Sequence, residues 1–181
     1  MQKTYRYRVR MLSCTALFAA LMAVCAWISV PAPVPFSMQS FAVLAAGLTL
    51  GGRWGAAAAG VYLALGAAGL PVFSGFGGGI GHLLGAGGGY AVGFVFCAGI
   101  AGALARGGGR MGDVLGCVLG LAACYGAGTL WYAIACAPGA DLRQLLASCV
   151  LPFLLPDAVK AVLAVFCARV LRRHMPRKDV R

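Results

Sequence analysis

The stretch RQLLASCVLPFLLPDAVKAVLAVFCARVLR, residues 143–172, decides the fold. It stays apolar for longer than the roughly 20 residues a helix needs to cross a bilayer, and it carries Asp157 and Lys160 well inside the run. Each ionisable group near the centre of a membrane helix costs about 2.5–3.5 kcal/mol on insertion scales, so such a pair is an expensive feature. The i, i+3 spacing puts both side chains on one helix face. Pro152 and Pro156 remove amide donors and predict a kink there, freeing carbonyls that a cavity or ligand can satisfy. Two readings stand: a binding site, or an ion pair that fixes helix packing or lets Lys160 snorkel to an interface.

Outward from this stretch, the whole chain reads the same way. Of its 181 residues 61% are hydrophobic and 10% charged, with a mean hydropathy of +0.88. A soluble domain carries about 25% charged residues, so this chain has too few to cover a water-facing surface and is expected to be an integral membrane protein. Six spans are expected, at roughly 10–29, 38–52, 54–70, 89–105, 113–136 and 143–172. The second and third are short, are joined by Gly51-Gly52-Arg53, and are open to tilting, kinking or incomplete crossing. The first resembles a secretory signal but is long for one.

The net charge of +11 would suggest nucleic acid in a soluble protein, but here the basic residues cluster at chain ends and between apolar runs. With the N-terminus inside, the cytoplasmic side receives Lys3, Arg6, Arg8, Arg10, Arg53, Arg106, Arg110, Arg169, Arg172, Arg173, Arg177, Lys178 and Arg181. The outside receives Arg143, and both termini are expected in the cytoplasm of a bacterial-type cell. The chain reads as one transmembrane domain over 1–181. All eight cysteines fall in apolar stretches without a CxxC, as buried small hydrophobes do.

Small residues at helical spacing mark faces where helices approach closely: Ala16/Ala20 and Ala19/Ala23, Gly89/Gly93, and Gly112/Gly116/Gly120. Each pair serves either packing within the chain or contact with a partner. Pro31, Pro33 and Pro35 enforce an extended backbone before Gln39, so residues 31–39 read as a rigid lid, with Ser37 and Gln39 lining a cavity or capping a helix. The glycine-rich segment 71–90 lacks a phosphate-loop motif and is expected to be an irregular re-entrant loop offering Phe73, Phe76 and Tyr90. His82 has no metal-ligating neighbours in sequence and reads as a surface or packing residue.

The pair Asp157 and Lys160, one acceptor and one donor, suits a neutral ligand group offering both N–H and C=O, such as a urea or amide. No Cys/His dyad, Ser/His set or metal cluster supports an enzyme, and no metal or cofactor is expected. PVPFSMQSFAVLAAGLTLGGRWGA (33–56), GLPVFSGFGGGIGHLLGAGGGYAVGF (69–94) and PFLLPDAVKAVLA (152–164) resemble, in order, the signature stretches of the BioY family. These are the biotin-capturing S components of energy-coupling factor (ECF) transporters. Ala86-Gly87 and Leu155-Pro156 depart from the Pro-Thr and Pro-Gly usual there, which bears on loop and kink geometry more than on the ligand.

The resemblance implies a six-helix S-component bundle in the cytoplasmic membrane, binding biotin beneath the first and third loops. Candidate ligand contacts are Asp157, Lys160, Gln39, Tyr90, Phe36, Phe73 and Gly78. It further implies a membrane coupling protein and two ATP-binding-cassette ATPases as partners, met through Ala16, Ala20 and Ala23 of the first helix. ATP hydrolysis is then expected on those subunits alone. A self-sufficient biotin carrier or channel is the alternative.

Overall fold

The computed structural model describes residues 2–30, 36–107, 109–139 and 141–174. The Pro31–Pro35 segment and the basic residues Arg177, Lys178 and Arg181 lie outside them. The described chain is helical almost throughout. In order it forms α1 (Gln2–Trp27), a ribbon of β1 (Ser29–Val30) and β2 (Phe36–Ser37), α2 (Gln39–Leu50) and α3 (Gly52–Ala67). A 3-10 turn (Ser74–Phe76) and the short α4 (Ile80–Leu84) follow, then α5 (Gly88–Ala105), α6 (Gly109–Ala135), α7 (Leu142–Cys149) and α8 (Leu151–Arg172). β1 and β2 pair antiparallel, with Ser29 opposite Ser37 and Val30 opposite Phe36.

Among the described residues, four stretches are long and apolar enough to cross a membrane: Tyr5–Trp27, Gly88–Ala105, Gly109–Ala135 and Arg143–Arg172. Their outward faces carry exposed Leu17, Leu130, Ile134, Val162 and Phe166, an apolar surface that lipid covers and water would not. The second expected span is different in kind. α2 has 12 residues, about 18 Å at roughly 1.5 Å per residue, and all but Phe41 are buried. It is apolar all round because α1, α3, α5 and α8 surround it, so protein takes the place of lipid.

Two expectations about spans change. The first helix begins at Gln2 rather than near residue 10, since the Lys- and Arg-rich segment contains no helix breaker and those residues are good helix formers. The sixth is two helices parted at Val150, whose φ of -126° and ψ of -55° leave the helical region. The kink expected at the prolines falls before them. Pro152 sits in the first turn of α8, where no amide partner is needed, and α8 runs on through Pro156.

Glycine decides which helices touch. A Cβ on Gly47 of α2 would collide with the Ala98 carbonyl of α5, and one on Gly102 of α5 would strike the backbone of residues 47, 51 and 52. Gly116 lies against Ala101 and Gly120 against Cys97, so α5 and α6 form the most extensive pairing in the molecule. Gly89, Gly93, Gly112, Gly116 and Gly120 therefore serve packing within the chain. At the α2–α3 corner Gly51 has φ +83°, and the Arg106 guanidinium occupies the place of a Cβ while donating to the Leu50 carbonyl at 3.1 Å. All eight cysteines are unpaired; five are buried, but Cys136 at the end of α6 is exposed.

Candidate functional site

A cavity with about 770 Å3 of empty space, part of it open to solvent, lies between α2, α3, the glycine-rich segment, α5, α6 and α8. Its wall is largely apolar, from Phe73, Phe94, Leu121 and Phe153 among others, and its polar groups converge at one place.

That place is built on α8. Asp157 and Lys160 are 5% and 4% exposed and form an ion pair of 2.8 Å. α2 brings Ser40, whose hydroxyl donates to Asp157 Oδ1 at 2.7 Å, and α6 brings Tyr125, which donates to Oδ2 at 2.6 Å. Lys160 Nζ donates to the Ser37 carbonyl (2.6 Å), to Asp157 Oδ1 (2.8 Å) and to Ser40 Oγ (3.3 Å), and lies 3.9 Å from the centre of the Phe36 ring. All three ammonium protons are thus used, whereas the carboxylate, with about four acceptor positions, retains capacity for a ligand N–H. A ligand carbonyl reaches Lys160 by replacing Ser37 or Ser40, an exchange of one hydrogen bond for another.

Beside the pair, Gln39 is held from both ends. Its Oε1 accepts from Ser37 Oγ (2.9 Å) and Ser74 Oγ (3.2 Å), and its Nε2 donates to Tyr62 Oη (2.6 Å), which in turn donates to the Val72 carbonyl at 3.1 Å. One Nε2 proton remains for a ligand. This series of hydrogen bonds ties α2 and α3 to the glycine-rich segment, which backbone bonds such as Gly79 N–H to the Gly66 carbonyl also hold. Tyr90 contributes its ring to the wall. Its hydroxyl donates to the Cys149 carbonyl at 3.0 Å, which the break at Val150 leaves without a helical partner.

Asp157, Lys160, Gln39, Tyr90 and Phe73 therefore meet at one cavity, while two expected contacts do not. Phe36 sits behind Lys160 and stacks on Phe153 with centroids 6.1 Å apart, backing the site without lining it. Gly78 packs on the Gly69 and Leu70 carbonyls at the end of α3, outside the cavity; a side chain there would strike that backbone. Ser40, Tyr62 and Tyr125 were not singled out from the sequence, although a tyrosine in an apolar span signals a buried partner for its hydroxyl. His82, read as a surface or packing residue, stacks on Phe73 and lines the cavity.

On α1 the three small residues part ways. Ala16 and Ala20 are exposed, but Ala23 is 7% exposed and packs into the core, so it leaves the candidate partner face. None of the described residues of α1 lines the cavity; the helix reaches the loop through Trp27, which donates to the Pro71 carbonyl and stacks on Phe76 at 5.1 Å. At the opposite end, Asp113 is buried and bound by Arg169 (3.0 Å) and Arg172 (2.6 Å), joining α6 to α8 away from the cavity.

A helical bundle enclosing a small-molecule cavity around a buried ion pair suits a membrane protein that handles a small solute. It is similar, with a TM-score of 0.82 and 28% identity over 92% of both chains, to the crystal structure of the S-component for biotin from an ECF-type ABC transporter. The BioY family model matches residues 1–177. The probable biotin transporter BioY of Pyrococcus horikoshii is 43% identical over 91% of this chain and 98% of its own length. The biotin transporter BioY of Thermotoga maritima is 36% identical over 91% and 97%. The chain belongs to the BioY family, a transporter family and not an enzyme family.

Proposed function

We propose that this chain binds biotin and carries out its uptake as the substrate-specific membrane subunit of an ECF-type transporter. The observation that carries the reading is the buried Asp157–Lys160 pair, held by Ser40 and Tyr125 at the wall of an apolar cavity. The ureido ring of biotin is a neutral group with two N–H donors and one carbonyl, which complements a carboxylate with spare acceptor positions and an ammonium. Polar groups already fixed in place need little reordering on binding, so high affinity is expected of the isolated protein.

In this reading residues 1–181 form one domain that crosses the cytoplasmic membrane six times with both termini inside, which is where the basic residues concentrate. α2 and α3 account for two of the crossings as short helices, α2 enclosed by the others and α3 with Val61 and Leu65 on an outward face. The chain acts with no cofactor. Energy comes from a membrane coupling protein and two ATPase subunits.

Calorimetric titration of the detergent-solubilised protein with biotin tests the substrate: saturable heat at one site per chain is expected. No response to biotin beside a clear response to another vitamin would overturn it. Biotin uptake at an undiminished rate in vesicles lacking every ATPase subunit would overturn the partnership.

A further inference from the structure

We infer that His82 recognises the carboxylate at the far end of the ligand, making the glycine-rich segment a second polar pole of the cavity. The inference rests on the biotin reading and extends it. Biotin joins a ureido ring to a carboxylate through a flexible chain of methylenes, so a cavity that takes it meets two polar ends. Lys160 is tied to the ureido pole by its bonds to Asp157, Ser37 and Ser40, so the other end of the ligand needs a different partner. Among the described cavity-lining residues, His82 is the one other side chain able to carry a positive charge.

The placement of His82 is that of a built group. Its ring stacks on Phe73 with centroids 5.0 Å apart and planes 15° from parallel. Phe73 is 2% exposed and meets Tyr62 edge-on at 5.5 Å, its ring filling the space left by Gly66. On the other side, the imidazole Nδ1 lies where a Cβ on Gly77 would be, so the ring is held between an aromatic face and bare backbone. Among the described residues neither ring nitrogen of His82 has a hydrogen-bond partner, so the imidazole keeps an N–H for a ligand. An imidazole fixed in this way meets a carboxylate with little loss of rotamer freedom.

The test compares two ligands that differ only at the tail, biotin and its neutral primary amide, biotinamide, by calorimetry on the full-length protein in detergent. The wild-type chain should prefer biotin by about tenfold or more, as one charge-assisted hydrogen bond implies. His82→Phe keeps a flat ring against Phe73 and removes the charge and donor. It should lower biotin affinity by about tenfold, leave biotinamide within about twofold, and so abolish the preference. His82→Gln, which also removes the charge, should abolish it equally and guards against misfolding of the first variant. A preference for biotin that survives both substitutions, or an equal loss for both ligands, would overturn the role of His82 while leaving the biotin reading intact. Binding of neither ligand to the wild-type chain would overturn both.

Discussion

Asp157 accepts three hydrogen bonds, from Ser40 on α2, Tyr125 on α6 and Lys160 on its own helix α8. Removing one member of a buried, charged, hydrogen-bonded pair typically costs about 2–5 kcal/mol, much of it from the partner left unpaired. Asp157→Asn and Lys160→Met should therefore each lower biotin affinity by at least about tenfold in the same titration. Tyr125→Phe, which deletes one donor and no volume, should cost about 1–2 kcal/mol while the protein stays folded. The double variant Asp157→Asn with Lys160→Met separates site from strut: it should fold and still bind poorly. Recovery of normal binding would make the pair a packing device. The charges of this constellation were legible in the sequence because an ionisable group in an apolar run is rare. Ser40, Tyr62 and Tyr125 were not: a tyrosine in an apolar span signals some partner for its hydroxyl, but which partner is decided only when α2, α3 and α6 are folded against α8.

At the scale of helices, close approach through glycine is position-specific. Gly102 has backbone of α2 and of the α2–α3 corner where a side chain would begin, whereas Gly60, inside α3, has nothing within 4 Å. Gly102→Ala should therefore destabilise by about 1–3 kcal/mol through overpacking. Gly60→Ala should be neutral or stabilise by about 0.5–1 kcal/mol through helix propensity. Thermal unfolding of the two variants side by side should place Gly60→Ala at or above the parent and Gly102→Ala well below it. Equal shifts would mean that the seam can yield. Hydropathy revealed where the helices lie, since lipid demands a long apolar run. It did not reveal that α2 is enclosed by protein, because burial in protein and burial in lipid ask for the same residues. Nor did it reveal the break at Val150: a proline in a first turn and a proline in a kink look alike until the helix start is known.

The whole molecule separates its surfaces. α1 presents Ala16 and Ala20 to the outside, while the cavity is walled by the other long helices and the glycine-rich segment. Ala16→Trp or Ala20→Trp should weaken assembly with the coupling protein, measured by co-purification, and leave biotin affinity within about twofold, because a bulky side chain blocks close helix approach and touches nothing in the cavity. Loss of biotin binding with assembly intact would show that this face packs inward. In the proposed reading, selection for a ligand and selection for a docking partner would fall on different positions of this chain. A lineage could then rewrite α2, α4 and α8 for a new solute and inherit α1 unchanged. The same separation offers a route to grafting: α1 exchanged between relatives should carry partner choice with it and leave ligand choice behind.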